Sequence, residues 1–219
     1  MRFYQEITLI ETLDASPYFI WSKLYTQLHL ALVEQQNSDK TVNFGVSFPN
    51  YVAPRIEQDE KRRGSLGNKL RVFASSAEEL QRLNLHKWLE RLADYLHVRS
   101  IQPVPATTPE HVLVKRYRVD INLDRLTRRF IRRKEQREGI QITFKEARKL
   151  QNQRYAENQK AQQEGNTRSK AEDFPYIKMQ SFSGEKEFSL QIQQIPVRES
   201  VQGTFSTYGL SNHATVPHW

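Results

Sequence analysis

Two groups of residues in this 219-residue chain have the types and spacing to do chemistry. Arg125, Arg128, Arg129, Arg132 and Arg133 recur at i, i+3, i+4, i+7 and i+8. On an α-helix that spacing gathers them on one face. Leu123, Leu126 and Phe130 fall on the other side and give the helix something to pack with. Five like charges on one face repel by about a few tenths of a kcal/mol per neighbouring pair. A polyanion laid against the face would relieve that cost. Guanidinium forks match phosphate oxygens two at a time, so arginine in place of lysine points to a phosphate backbone. In the deep major groove of RNA such a helix grips phosphates and reads little sequence. The competing reading is a solvated surface.

The second group centres on His29, which sits mid-helix at the edge of an apolar stripe between Leu28 and Leu30. An imidazole titrates near neutrality, so it can take the proton from an RNA 2′-hydroxyl. The oxygen then attacks the adjacent phosphate and cuts the strand without a metal. The alternative is a core histidine satisfied by its neighbours. Ser181-Phe182-Ser183-Gly184, by spacing alone, is turn chemistry at a strand end. By the same standard Tyr208-Gly209 would serve packing and Phe188 the core. The six histidines show no H-x-x-x-H or H-x-E pairing, and no D-x-D cluster occurs. There is no cysteine and no glycine-rich phosphate loop. We expect no bound metal and no cofactor.

The elements that must position these residues follow from periodicity. Phe3, Ile7 and Leu9 mark a strand. Ser16-Pro17 is an N-cap followed by proline at the first helical position, opening a helix to about residue 36 with Ile20, Leu24, Leu28 and Leu32 spaced by four. Val42, Phe44, Val46 and Phe48 alternate as a half-buried strand does. Residues 50 to 68 are polar and read as a long loop; Leu70 and Val72 mark a short strand. Ser76-x-x-Glu79 is a capping box for a helical region running to about residue 97, and a strand near 98 to 104 closes the set. The order β-α-β-β-α-β is the ferredoxin-like arrangement.

Pro103, Pro105 and Pro109 mark a linker. Beyond it lie an extended stretch at 112 to 118, the arginine helix, and a polar region in which almost nothing from 151 to 173 is apolar. That region is an exposed helix or a disordered insertion. Strands are expected at 176 to 182 and 187 to 195, with a turn at Ser183-Gly184, before an irregular aromatic tail. The chain carries a net charge of +8, and residues 115 to 134 hold nine Lys/Arg against two acids. Basicity so concentrated favours nucleic acid over an anionic membrane surface. No run approaches the ~18 apolar residues of a membrane span, and with no apolar stretch or small-residue cleavage site in the opening residues we expect no signal peptide. A cytoplasmic protein with no membrane partner is expected.

Taken together, these residues resemble a known family, the CRISPR repeat-processing endoribonucleases of the type I-F system (the Cas six-f/Csy-four group). The likeness rests on Leu28-His29-Leu30-Ala31-Leu32, on Gly45-Val46-Ser47-Phe48-Pro49 and on the run 125 to 133. It continues through Ser181-Phe182-Ser183-Gly184, Tyr208-Gly209-Leu210-Ser211 and Val216-Pro217. The resemblance implies an α+β fold. A ferredoxin-like domain would span residues 1–106. A second α/β domain, 107–219, would bind RNA and carry the arginine-rich helix near 122–134 and a polar insertion near 135–173.

It also implies roles. His29 matches the catalytic histidine, Ser181 the serine holding the nucleotide that bears the attacking hydroxyl, Ser183 a second active-site serine, and Tyr208 the tyrosine supporting the histidine. Phe188 matches the aromatic under the terminal base pair of the stem. Arg128, Arg129, Arg132 and Arg133 match the groove-inserted arginines, with Arg125 extending their face. Arg116 and Arg118 fall in a linker that reads bases at the stem foot. The family binds the CRISPR repeat stem-loop, cuts at its 3′ base and stays on the product within a complex of other type I-F Cas subunits. At Arg118 the best-known relative has glutamine, so base preference there is expected to differ, and the polar stretch is longer than the family pattern. The rival readings are a hairpin-binding subunit without catalysis and a basic DNA-binding regulator.

Overall fold

A computed structural model describes residues 1–57, 60–107, 110–117, 123–163, 173–181 and 187–219. The chain divides into two compact units, Met1–Tyr117 with Glu172–Trp219, and Arg118–Ala171. Among its described residues the first unit holds two larger antiparallel sheets and a two-stranded one. The elements of its leading half are β1 (Phe3–Leu9), α1 (Pro17–Glu34), β2 (Gly45–Ser47), β3 (Arg55–Glu57), β4 (Glu60–Arg62), β5 (Lys69–Ala74), α2 (Ala77–Leu83), α3 (Leu85–Trp88), β6 (Leu96–Val98) and β7 (Gln102–Pro103). The first sheet runs β2-β5-β1-β6, with β7 also on β1, and β3 and β4 form a separate ladder. The second sheet, of β8 (Glu110–Arg116), β9 (Tyr176–Gln180), β10 (Glu187–Val197) and β11 (Val216–His218), runs β11-β8-β10-β9.

Helix α1 begins as its sequence dictates. The Ser16 side chain accepts from the Phe19 backbone N–H, and Pro17 follows in the first turn. Its apolar stripe buries Ile20, Trp21, Leu24, Tyr25, Leu28 and Leu32. By contrast, the region expected to be helical to about residue 97 breaks at Asn84. This residue takes a left-handed φ of 47°, caps the end of α2 with its backbone and accepts the Lys87 N–H at the start of α3. Asparagine tolerates that conformation because its short amide bonds locally. A 3₁₀ turn at Glu90–Leu92 follows, and the capping box of Ser76 and Glu79 is formed.

Strand β2 is not half-buried. Ser47 is as inaccessible as Val46 and Phe48, because the chain's last segment lies over the face that alternation assigns to solvent. A Cβ on Gly45 would come within 2.5 Å of Val216 and 2.8 Å of Phe205. The stretch expected as a loop at 50 to 68 contains the β3–β4 hairpin. The sheets are joined by a buried amide: Gln194 accepts from the Phe48 N–H at 2.9 Å and donates to the Phe48 carbonyl at 3.0 Å. A buried ion cluster pins the end of the chain. Glu6 accepts from Arg71 at 2.8 Å and Lys69 at 3.2 Å, while Arg71 lies 4.0 Å over the Trp219 ring and donates to its carbonyl.

The second unit contains α4 (Leu123–Glu138) and α5 (Phe144–Gln163), which pack together. Helix α4 ends at Gly139, whose φ of 66° and N–H bond to the Glu135 carbonyl are those of a left-handed helix stop. Thr143 and Glu146 cap α5 reciprocally. Residues 164–172 of the expected polar insertion lie outside the described residues.

Candidate nucleic-acid cleavage site and arginine face

The site is assembled around α1. On a helix, residues 25 and 29 lie one turn apart on the same side. Tyr25 is fully buried and His29 half-buried at the rim. Facing them is the segment 205 to 210. Phe205 bridges to Val42, and Ser206 accepts the Gly209 N–H at 2.7 Å and donates its own N–H to Leu210. Gly209 sits at φ 70° with Val46 2.5 Å from where a Cβ would stand, so no other residue fits that turn without displacement. The turn leaves two successive carbonyls, of Thr207 and Tyr208, pointing at α1.

His29 Nδ1 lies 2.8 Å from the Thr207 carbonyl oxygen. A carbonyl only accepts, so Nδ1 carries the proton and Nε2 of the neutral ring keeps its lone pair. That is the tautomer a general base needs. The imidazole lies flat against Tyr208, with centroids 4.2 Å apart and planes 8° from parallel. Tyr208 meets Phe188 edge-on at 6.4 Å, and the exposed Arg116 guanidinium stands 5.4 Å over the Phe188 ring. Burial pushes the Tyr208 phenol up, more than the Arg116 charge pulls it down. It therefore remains a neutral ring beside the imidazole.

Four expected residues, His29, Tyr208, Phe188 and Arg116, are thus in one continuous chain of contacts. Ser181 follows β9 directly and is half-buried. That strand packs along α1, where the Ser22 hydroxyl donates to the Lys178 carbonyl at 2.6 Å. Ser183 and Arg118 lie outside the described residues. Sequence reasoning missed Thr207 and Tyr25. Thr207 contributes a backbone carbonyl, which leaves no residue-type signal; Tyr25 is signalled only by standing four residues before His29.

In the second unit the arginine face is formed. Arg125, Arg128, Arg129, Arg132 and Arg133 are all exposed on α4, while Thr127 is fully buried and Leu126 and Phe130 are half-buried. Phe130 is covered by the cations of Lys134 and Arg154, at 6.0 and 5.6 Å from its ring centre. Asp124 pairs with Arg148 of α5. Among the described residues no helix is long and apolar enough to cross a membrane.

Comparison with known proteins agrees on one family. The model of a CRISPR-associated protein family, Cas_Csy4, matches residues 4–219. A Pseudomonas aeruginosa (strain UCBPP-PA14) protein described as CRISPR-associated endonuclease Cas6/Csy4 is 32% identical over 218 residues, with 99% of each chain covered. A protein of the same description from Escherichia coli (strain UTI89 / UPEC) is 31% identical over 219 residues, again with 99% of each covered.

Proposed function

The chain belongs to the CRISPR-associated Csy4 family, and from that premise we propose that it is an endoribonuclease of CRISPR RNA. It binds the repeat stem-loop of the precursor, cuts at the 3′ base of the stem, and stays on the product as a cytoplasmic subunit of a type I-F complex. The observation that carries this reading is the His29 ring, held by the Thr207 carbonyl in the tautomer that leaves Nε2 basic.

The proposed step needs no metal, because the imidazole is itself the base. His29 Nε2 takes the proton of the 2′-hydroxyl. The 2′-oxygen bonds to the adjacent phosphorus, and the bond from phosphorus to the 5′-oxygen breaks. The products are a 2′,3′-cyclic phosphate, which can open to a 3′-phosphate, and a 5′-hydroxyl once the leaving oxygen is protonated. Ser181 holds the ribose for in-line attack, and Ser183 is a second active-site serine. Phe188 caps the stem, Arg116 and Arg118 contact bases at its foot, and the α4 arginines, Arg125 included, grip groove phosphates. We assign residues 1–106 to a ferredoxin-like domain, a reading supported by the strand order β2-β5-β1-β6. We assign 107–219 to the RNA-binding domain, which supplies every strand of the second sheet.

A repeat RNA with a single 2′-deoxy nucleotide at the cleavage position tests the chemistry. It should bind as tightly as the all-ribose RNA and stay intact. Cutting of the deoxy RNA at the normal rate would refute attack by the 2′-oxygen.

A further inference from the structure

Helix α1 grips the 206–210 turn at two points. His29 Nδ1–H donates to the Thr207 carbonyl at 2.8 Å, and the Tyr25 hydroxyl donates to the next carbonyl, that of Tyr208, also at 2.8 Å. Both donors lie on one helix face, one turn apart, and both acceptors are consecutive peptide units. The two bonds therefore fix one another's register.

Tyr25 is well placed to hold its end still. It is wholly buried and stacks on Phe48, with centroids 6.3 Å apart and planes 16° from parallel. Burial pushes its phenol far up, so it stays a protonated donor. On the far side of the turn Val46 donates to the Gly209 carbonyl at 3.1 Å. The Thr207 carbonyl belongs to the peptide unit immediately before the Tyr208 carbonyl, joined to it through the Cα that bears the Tyr208 ring. Peptide units in tight turns can rotate as a plane, and a carbonyl freed from its donor is free to do so.

We propose that Tyr25 is a positioning residue for cleavage: its hydroxyl locks the Tyr208 carbonyl, which holds the Thr207 carbonyl on His29 Nδ1 and keeps the lone pair on Nε2. The inference rests on the reading of His29 as the base. It adds that the tautomer is set from a fully buried residue.

Tyr25→Phe tests it, because the ring and its stack on Phe48 are kept. Three quantities are measured on wild type and variant: hairpin-RNA affinity, single-turnover cleavage, and the two His29 ring-nitrogen shifts by ¹⁵N NMR with the ring neutral. We expect unchanged affinity, cleavage slowed about tenfold or more, as a small misplacement of a catalytic group does, and a larger share of the Nε2–H tautomer. Wild-type cleavage with unmoved nitrogen shifts overturns the proposal. So does a parallel loss of affinity and cleavage with unmoved shifts, which would make Tyr25 purely structural. His29→Ala, run alongside, keeps the two readings apart: if that variant cuts normally, the base assignment fails whatever Tyr25 does.

Discussion

The imidazole of His29 lies on the ring of Tyr208, 4.2 Å away and within 8° of parallel. The contact bears on chemistry because a base that takes a proton becomes a cation, and a neutral aromatic face stabilises a cation by about 0.5–2 kcal/mol. The upward shift of the Tyr208 phenol keeps that face uncharged.

Replacing Tyr208 with alanine removes the ring, and with it both the orientation of His29 and the edge contact to Phe188. Cleavage should fall about ten- to a hundredfold with RNA affinity nearly intact. Tyr208→Phe keeps the stack and should stay within a few-fold of wild type. Single-turnover rates on a repeat hairpin check both. Equal losses in the two variants would mean that the hydroxyl, and not the ring, is what matters.

The exposed arginines of α4 predict a binding signature. Arg129→Ala and Arg132→Ala should each weaken hairpin binding, and each should flatten the plot of log affinity against log salt by about one unit for the phosphate lost. Titrations at several salt concentrations read the slope directly. A variant that binds more weakly with the wild-type slope would show that its arginine contacts no phosphate.

Stability should be acid-sensitive through Glu6. Burial alone would raise its carboxyl, but hydrogen bonds and charge from Arg71 and Lys69 outweigh burial and hold it below the ordinary carboxylate range. A folded-state pKa below the unfolded one means the ionised form is favoured by folding. The contribution is therefore whole above the unfolded carboxylate pKa and is lost as pH falls through the lower folded value. Thermal melts should show Tm dropping across that acid window. Glu6→Gln should lower stability at neutral pH by about 3–5 kcal/mol, the usual cost of leaving a buried partner charge uncompensated. Arg71, only 7% exposed, is that partner. The variant should also show a flatter acid limb; an unaltered limb would place the titrating group elsewhere.

How much of this was readable from residues alone depends on where each signal lives. The arginine face was legible because charge and helical period coincide in one nine-residue run. The Ser16-Pro17 start and the Ser76/Glu79 box were legible because caps are local. The β3–β4 hairpin was not, since Arg55–Glu57 and Glu60–Arg62 carry almost no apolar alternation. Burial of both faces of β2 was hidden because its cover, Phe205 and Val216, comes from about 160 residues further on. His29 could be placed on its helix, and the resemblance paired it with Tyr208. Its bond to Thr207 is to a backbone oxygen 178 positions away, which no residue type announces.

Whether His29 is the base of a metal-free cleavage is read from cleavage of a repeat-hairpin RNA in excess EDTA, wild type against His29→Ala. Wild type should cut with chelator present, and His29→Ala should bind the hairpin with near wild-type affinity and leave it whole. If EDTA abolishes wild-type cutting, or if His29→Ala cuts at the wild-type rate, His29 is not the base of a metal-free cleavage. If both proteins bind tightly and neither cuts, the chain is a hairpin-holding subunit and not an enzyme.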